Sequence, residues 1–157
     1  MRVGIGYDIH RMVEERELIL GGVVIPYIKG LMGHSDADVL LHAICDAILG
    51  AICEDDIGKH FPVSDKRYEN ISSLVLLKNV YDLALGKGFK INNVDTVLIA
   101  EEPKIMPFKE KMKDNITGVL KIKKDMVNIK ATTNEGIGSI GRGEAIAAHA
   151  IVSLVEA

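Results

Sequence analysis

The stretch Val3-Gly4-Ile5-Gly6-Tyr7-Asp8-Ile9-His10 decides how the rest of the chain is read. Val3, Ile5, Tyr7 and Ile9 alternate with Gly4, Gly6, Asp8 and His10. A period of two puts the two sets on opposite faces of a β-strand. One face carries branched and aromatic side chains. The other carries two glycines, which let a second backbone come close, and then a carboxylate and an imidazole that project together at the strand's end. Two such ligands at i and i+2 can share one metal ion if a third arrives from elsewhere.

Moving outward, the charged run Arg11 to Glu17 reads as an exposed loop, and Leu18 to Tyr27 as a short hairpin turning at Gly21-Gly22. Lys29 to His34, with two glycines, reads as a mobile loop. Ser35-x-x-Asp38 has the spacing of a capping box, and the helix it opens runs to about Leu49. On that helix Asp38, His42 and Asp46 recur at i, i+4 and i+8 and line one stripe. His42 is therefore the natural third ligand. One carboxylate and two imidazoles with a fourth position open suit a catalytic Zn²⁺ that can accept a phosphate oxygen or water.

Farther along, residues 59–70 read as a polar loop. A helix is expected from Ser72 or Ser73 to Leu85, a strand over Phe89 to Ala100, a helix over Phe108 to Leu120 and a strand over Met126 to Thr133. The segment GIGSIGRGE at 136–144 reads as a glycine-rich turn region. It has neither the G-x-x-x-x-G-K-[ST] order of a P-loop nor the G-x-G-x-x-G of a dinucleotide fold. The closing segment AIAAHAIVSLVEA at 145–157 is ambiguous: its alanines favour helix, but its length suits a central strand buried on both faces.

Composition narrows the class. At 157 residues the chain fits one domain, spanning 1–157, and buries roughly 70% of its unfolded surface without needing a disulfide framework. A formal charge of −3 argues for neither a nucleic-acid partner nor a membrane surface. Cys45 and Cys53 lack a ligand-like spacing and read as reduced thiols of a cytoplasmic protein. Nothing approaches 18 uncharged apolar residues, so no membrane-spanning segment is expected.

Other residues could carry chemistry. His34-Ser35-Asp36-x-Asp38 can cap a helix, and His34 can also donate to a ligand phosphate. Asp56-Ile57-Gly58 can hold diol hydroxyls or form an ordinary acidic turn. Thr132, Thr133 and the backbone beside them offer donors to phosphate, and Glu135 could hold a Mg²⁺ already bound to phosphates. Arg142 and Glu144 are spaced to form an ion pair. Together these residues describe a metal-dependent enzyme acting on a phosphorylated small molecule, and they do not specify which one.

Several separated motifs, in order, resemble the 2-C-methyl-D-erythritol 2,4-cyclodiphosphate synthase family: GYDIHR at 6–11, LGGVVIPYIKGLMGHSDADVLLHAICDAILGA at 20–51, DIGKHFP at 56–62, NVDTVLIAEEPKI at 93–105 and NIKATTNEGIGSIGRGE at 128–144. The resemblance covers nearly the whole chain. It implies an α+β (α/β) fold, a mixed four-stranded sheet packed against helices with a small β-hairpin, and so turns the closing segment into a strand. It also implies a cytoplasmic homotrimer with each active site shared by adjacent subunits.

By the same resemblance, Asp8, His10 and His42 hold zinc or another divalent transition metal, with substrate phosphate completing the sphere. His34 and Ser35 belong to a mobile phosphate-side loop. Asp56, Ile57, Gly58, Phe61 and Asp65 fall at the methylerythritol pocket. The backbone of Ala100 to Met106, with Pro103, Lys104 and Ile105 within it, holds cytidine, and Lys104 lies near the phosphates. Ala131, Thr132, Thr133 and Glu135 complete the nucleotide-diphosphate site, where Glu135 reaches Mg²⁺ or Mn²⁺. His34, Thr133 and Glu135 are the residues closest to catalysis, and Arg142 and Glu144 lie near the threefold axis. Val63 stands where many members carry an acid, and Ser139 where many carry a bulkier side chain. The implied reaction is intramolecular: the 2-phosphate of 4-diphosphocytidyl-2-C-methyl-D-erythritol 2-phosphate attacks the β-phosphorus, and CMP leaves. Two rivals use the same three ligands. One is a zinc phosphohydrolase, in which water attacks. The other is a trimeric binding protein with a closed, structural metal site.

Overall fold

In the computed structural model, which describes residues 1–157, the opening alternation is strand β1 (Arg2–Glu14). Its glycine face lies directly against helix α1 (Val39–Ala51). A Cβ on Gly6 would overlap the Ala43 carbonyl oxygen and stand 2.8 Å from the Ala47 nitrogen; one on Gly4 would overlap the Ala47 carbonyl. Backbone meets backbone, and only glycine permits it. This contact sets the register of α1 along β1. It brings His42, the neighbour of Ala43, beside Asp8 and His10, which follow Gly6 on the same face.

The sheet runs β4-β1-β7-β5-β6. Strand β7 (Ala145–Glu156) lies at its centre, antiparallel to β1 from Arg2↔Leu154 to Arg11↔Ala145 and antiparallel to β5 (Phe89–Ile99) on its other side. β5 pairs in parallel with β6 (Val127–Thr132). These are the four expected strands, and the alanine-rich closing segment is one of them. Its small residues have a reason: Ala148 and Ala150 stand opposite Asp8 and Gly6, under the helix that crowds that face. Partners on both sides override the helical preference of alanine.

A fifth strand, β4 (Lys29–Leu31), corrects two expectations. It pairs with the end of β1, Met12↔Leu31 and Glu14↔Lys29, so β1 continues through most of the charged run read as a loop. The segment expected to be a mobile loop supplies that partner. The hairpin of β2 (Leu18–Leu20) and β3 (Val23–Ile25) turns at Gly21 and Gly22, both at positive φ.

Two short helices, α2 (Ile57–His60) and α5 (Gly138–Gly141), form in stretches read as turns. Helices α3 (Ser73–Gly86) and α4 (Lys109–Leu120) lie close to expectation. The first helix begins later than expected. Asp38, not Ser35, is its N-cap and accepts from the Leu41 N–H at 3.1 Å. Asp38 also accepts from Gly21 and Gly22, tying the hairpin turn to the helix start. Complete burial, with the charge of Asp36 nearby, pushes the Asp38 carboxyl up to about 6 against those three N–H bonds.

The core fills the space between one sheet face and α1, α3 and α4. On the other face the β1 part is apolar and open: Val3 is 60% and Ile5 70% exposed, with Tyr7, Ile9 and Ile151 beside them, while toward β6 the same face carries the Asp95–Lys130 ion pair. Cys45 is buried, Cys53 is exposed, and neither is in a disulfide. No helix is long and apolar enough to cross a membrane.

Candidate metal centre

Three side-chain atoms converge where β1 meets α1. His10 Nε2 lies 2.8 Å and His42 Nδ1 3.0 Å from Asp8 Oδ2, and the two ring nitrogens are 3.1 Å apart. His10 Nδ1 sits 2.9 Å from the Met32 carbonyl, which can only accept. The ring proton is therefore on Nδ1, and the neutral ring turns the bare lone pair of Nε2 toward Asp8 and His42. Atoms this close need positive charge between them, which ring protons supply in the metal-free protein and a metal ion would supply when bound. One carboxylate oxygen and two imidazole nitrogens are a donor set suited to a divalent transition metal. The three ligand atoms lie within 4.8 Å of one another, close enough for one such ion to be held by all three.

Charge follows the same geometry. Burial alone would raise the Asp8 carboxyl, but the hydrogen bonds and charges of His10 and His42 outweigh it and hold the group well below the usual carboxylate range. Burial would lower His10, and Asp8 and the Met32 carbonyl raise it instead.

The group holds three protein ligands and opens on a pocket of about 190 Å³. His34, Ser35, Ile57, Gly58 and Phe61 line that pocket with the triad, as do Val63, Tyr68 and Leu76. Three ligands beside an open pocket fit a catalytic site better than a closed structural one. His34 Nε2 donates to the Asp65 carbonyl at 3.2 Å. Asp46, one turn below His42, accepts from the Ile57 N–H at 2.8 Å and so fixes α2 against the pocket.

A second cleft of about 310 Å³ is lined by Ala100, Pro103, Lys104, Ile105, Met106, Ala131, Thr132 and Thr133, together with Glu101 and Pro107. Within one chain it shares no residue with the first. Glu101 accepts from the N–H groups of Asn134 at 2.7 Å and Gly136 at 3.3 Å, and thereby shapes the turn that carries Glu135 at positive φ.

Four of the expected site residues line neither cleft. Asp56 caps α2 through the Lys59 N–H, Asp65 is gripped by the Arg67 guanidinium at 2.6 Å, Glu135 is exposed, and Arg142 pairs with Glu144 at 2.7 Å. Sequence reading missed Tyr68, Leu76 and the role of the Glu101 side chain. The first two carry no chemical signature. Glu101 lies within the Ala100–Met106 segment, which was read only for its backbone.

Fold and cluster together define a class: an α+β protein whose Asp8, His10 and His42 form a group able to hold a divalent metal beside an open pocket. The chain belongs to the YgbB family, whose profile matches residues 1–155. A protein of Alkaliphilus oremlandii named 2-C-methyl-D-erythritol 2,4-cyclodiphosphate synthase is 58% identical over 157 residues, the full length of both chains. Among solved structures, the IspF of Plasmodium falciparum in complex with CDP is 37% identical with a TM-score of 0.87, over 99% of this chain and 96% of that one. The bifunctional IspDF of Campylobacter jejuni is 42% identical with a TM-score of 0.96; the match covers 99% of this chain and 42% of the longer one.

Proposed function

We propose that this chain closes 4-diphosphocytidyl-2-C-methyl-D-erythritol 2-phosphate to 2-C-methyl-D-erythritol 2,4-cyclodiphosphate with release of CMP, a step in non-mevalonate isoprenoid precursor synthesis. The observation that carries the reading is the convergence of Asp8, His10 and His42 at the mouth of a pocket, in a chain so close to enzymes bearing that name. Zinc or another transition metal at the triad, and magnesium or manganese at Glu135, would supply Lewis-acid neutralisation of phosphate charge.

The protein's own groups do the aligning. Asp8, His10 and His42 fix one phosphate-binding end. His34 and Ser35 donate to phosphate oxygens, and Ile57, Gly58 and Phe61 enclose the methylerythritol carbons, with Asp56 and Asp65 at the pocket's edge. Ala100, Pro103, Lys104, Ile105 and Met106 hold the cytidine end. Ala131, Thr132 and Thr133 receive the diphosphate beside Glu135, and Arg142 supports that side from the subunit boundary. The 2-phosphate is already a nucleophile, so no protein nucleophile is needed. Tethered reactants gain from alignment, up to roughly 7–11 kcal/mol in ideal intramolecular cases.

The two clefts share no residue, and the β1 part of the outer sheet face is apolar and exposed. Both features favour a homotrimer in which the metal half of one subunit meets the cytidine half of the next. We assign residues 1–157 to one catalytic domain, and the free thiols suit the reducing cytoplasm. The test is direct: purified protein with zinc, magnesium and the cytidylylated 2-phosphate should yield cyclic diphosphate and equimolar CMP. An open-chain product would instead mean that water attacks.

A further inference from the structure

The far side of the His42 ring is as constrained as its metal side. His42 Nε2 lies 2.9 Å from Ser73 Oγ and 3.1 Å from Ser35 Oγ, in a buried setting. Ser73 is the first residue of α3 and is fully buried. Its hydroxyl also contacts Asp36 Oδ1. An ionised carboxylate only accepts, and the other Asp36 bonds agree: Oδ1 takes the Asp38 N–H at 3.1 Å and Oδ2 the Ser73 N–H at 2.9 Å. The single Ser73 hydroxyl proton is therefore spent on Asp36. Toward His42, Ser73 can offer only a lone pair, and a lone pair needs a proton on Nε2.

We propose that Asp36 and Ser73 are positioning residues: the carboxylate orients the Ser73 hydroxyl, the hydroxyl holds the His42 proton on Nε2, and Nδ1 is left bare for the metal. This rests on the reading of Asp8, His10 and His42 as the metal site. It matters because a neutral imidazole has two tautomers, and the wrong one presents an N–H to the cation. Met32 does for His10 what this chain of contacts does for His42. One consequence reaches the pocket. Ser35 Oγ accepts from the Ala37 N–H at 3.1 Å and shares the His42 proton, so its own hydroxyl proton stays free for a phosphate oxygen. Another concerns the fold: the Asp36 carboxylate also sits at the positive end of α3, so docking of that helix and the state of the metal site depend on one side chain.

The experiment reads tautomer and metal affinity rather than turnover. Histidine-labelled, metal-free protein at about pH 8, where ordinary imidazoles are neutral, reports ring protonation through long-range ¹H–¹⁵N couplings. His42 should carry its proton on Nε2. Ser73→Ala should mix the two tautomers and weaken zinc by about 10–100-fold in competition with a chelating dye. Asp36→Asn should move both readouts the same way, because its amide can donate to Ser73 Oγ and release the hydroxyl proton toward Nε2. A purely structural staple would lower the melting temperature and leave tautomer and zinc affinity unchanged, and that result overturns the proposal. A proton on Nδ1 in the wild-type protein overturns it too, even if a variant fails to fold. His42→Ala separates the levels. If that variant binds zinc like the wild type, the metal assignment fails and takes this inference with it. If it loses zinc while Ser73→Ala binds normally, the relay alone is wrong.

Discussion

His10 stands between two demands. Its pKa is raised above 6.5, since Asp8 and the Met32 carbonyl outweigh the lowering effect of burial. In the metal-free protein the charged ring therefore stabilises the fold fully below pH 6.5, and that contribution is lost as pH rises through the raised value. A metal needs the neutral ring. Apparent zinc affinity should climb by about tenfold per pH unit across the same window, as one proton is displaced, and level off above it. Asp8 adds nothing to that slope, being ionised far below it. Chelator competition over a pH series measures the slope, and a flat profile would show that His10 does not ligate. Glu135 gives a second prediction at this scale. Glu135→Gln keeps size and removes the charge a hard cation prefers, so the magnesium dependence of turnover should shift to higher concentration. The loss should be several-fold or more, given ~1–4 kcal/mol between unit charges 4 Å apart near a surface. An unchanged titration would remove Glu135 from the second metal site. The contrast with Ser73 explains what could be read in advance. Asp8 and His10 are legible because strand periodicity puts them on one face. The contacts of Ser73 span 31 residues to His42 and 37 to Asp36, and no local pattern encodes them.

Elements were legible where one local rule governed them. The alternation of β1, the Gly21-Gly22 turn and the extents of α3 and α4 each follow from local signals alone. β4 and the end of β1 did not, because each owes its strand state to a partner: Met12 pairs with Leu31. The start of α1 was misplaced because Ser35 and Asp38 are both good caps, and bonds from Gly21 and Gly22 select the second. The close packing of α1 on β1 makes a sharp prediction. Gly6→Ala drives a methyl group into the Ala43 carbonyl, so the helix must retreat. Overpacking of this kind costs about 1–3 kcal/mol or more, and His42 should retreat with the helix, weakening zinc as well. Gly118→Ala is the counterpart. Gly118 is exposed on α4 with nothing within 4 Å of an added Cβ, and should gain about 0.5–1 kcal/mol. Urea unfolding of both variants measures the contrast. A harmless Gly6→Ala would contradict the backbone contact that registers the metal site.

At the scale of the whole molecule, β1 is divided between two tasks. Its glycine, aspartate and histidine face builds the metal site, and its apolar face, with Val3 and Ile5 mostly exposed, has no partner within the chain. The two clefts are similarly divided, with the triad in one and Lys104, Thr132 and Thr133 in the other. If neighbouring subunits join them, two inactive variants should rescue each other. His42→Ala damages only the metal half, and Lys104→Ala, at an exposed lysine far from the triad in sequence, damages only the cytidine half. After dissociation and reassociation of an equal mixture, roughly a quarter of the interfaces in a randomly assembled cyclic trimer combine two intact halves. Cyclic product should therefore rise from near zero for either parent toward a quarter of the wild-type rate, with a maximum at equal mixing. If each chain carried a complete site, every site in every mixture would keep one defect, and activity would follow the parents at all ratios. Native mass measurement confirms that mixed assemblies have formed. Parental activity in confirmed mixed trimers would rule out the shared site, and an absence of trimers would rule out the assembly itself.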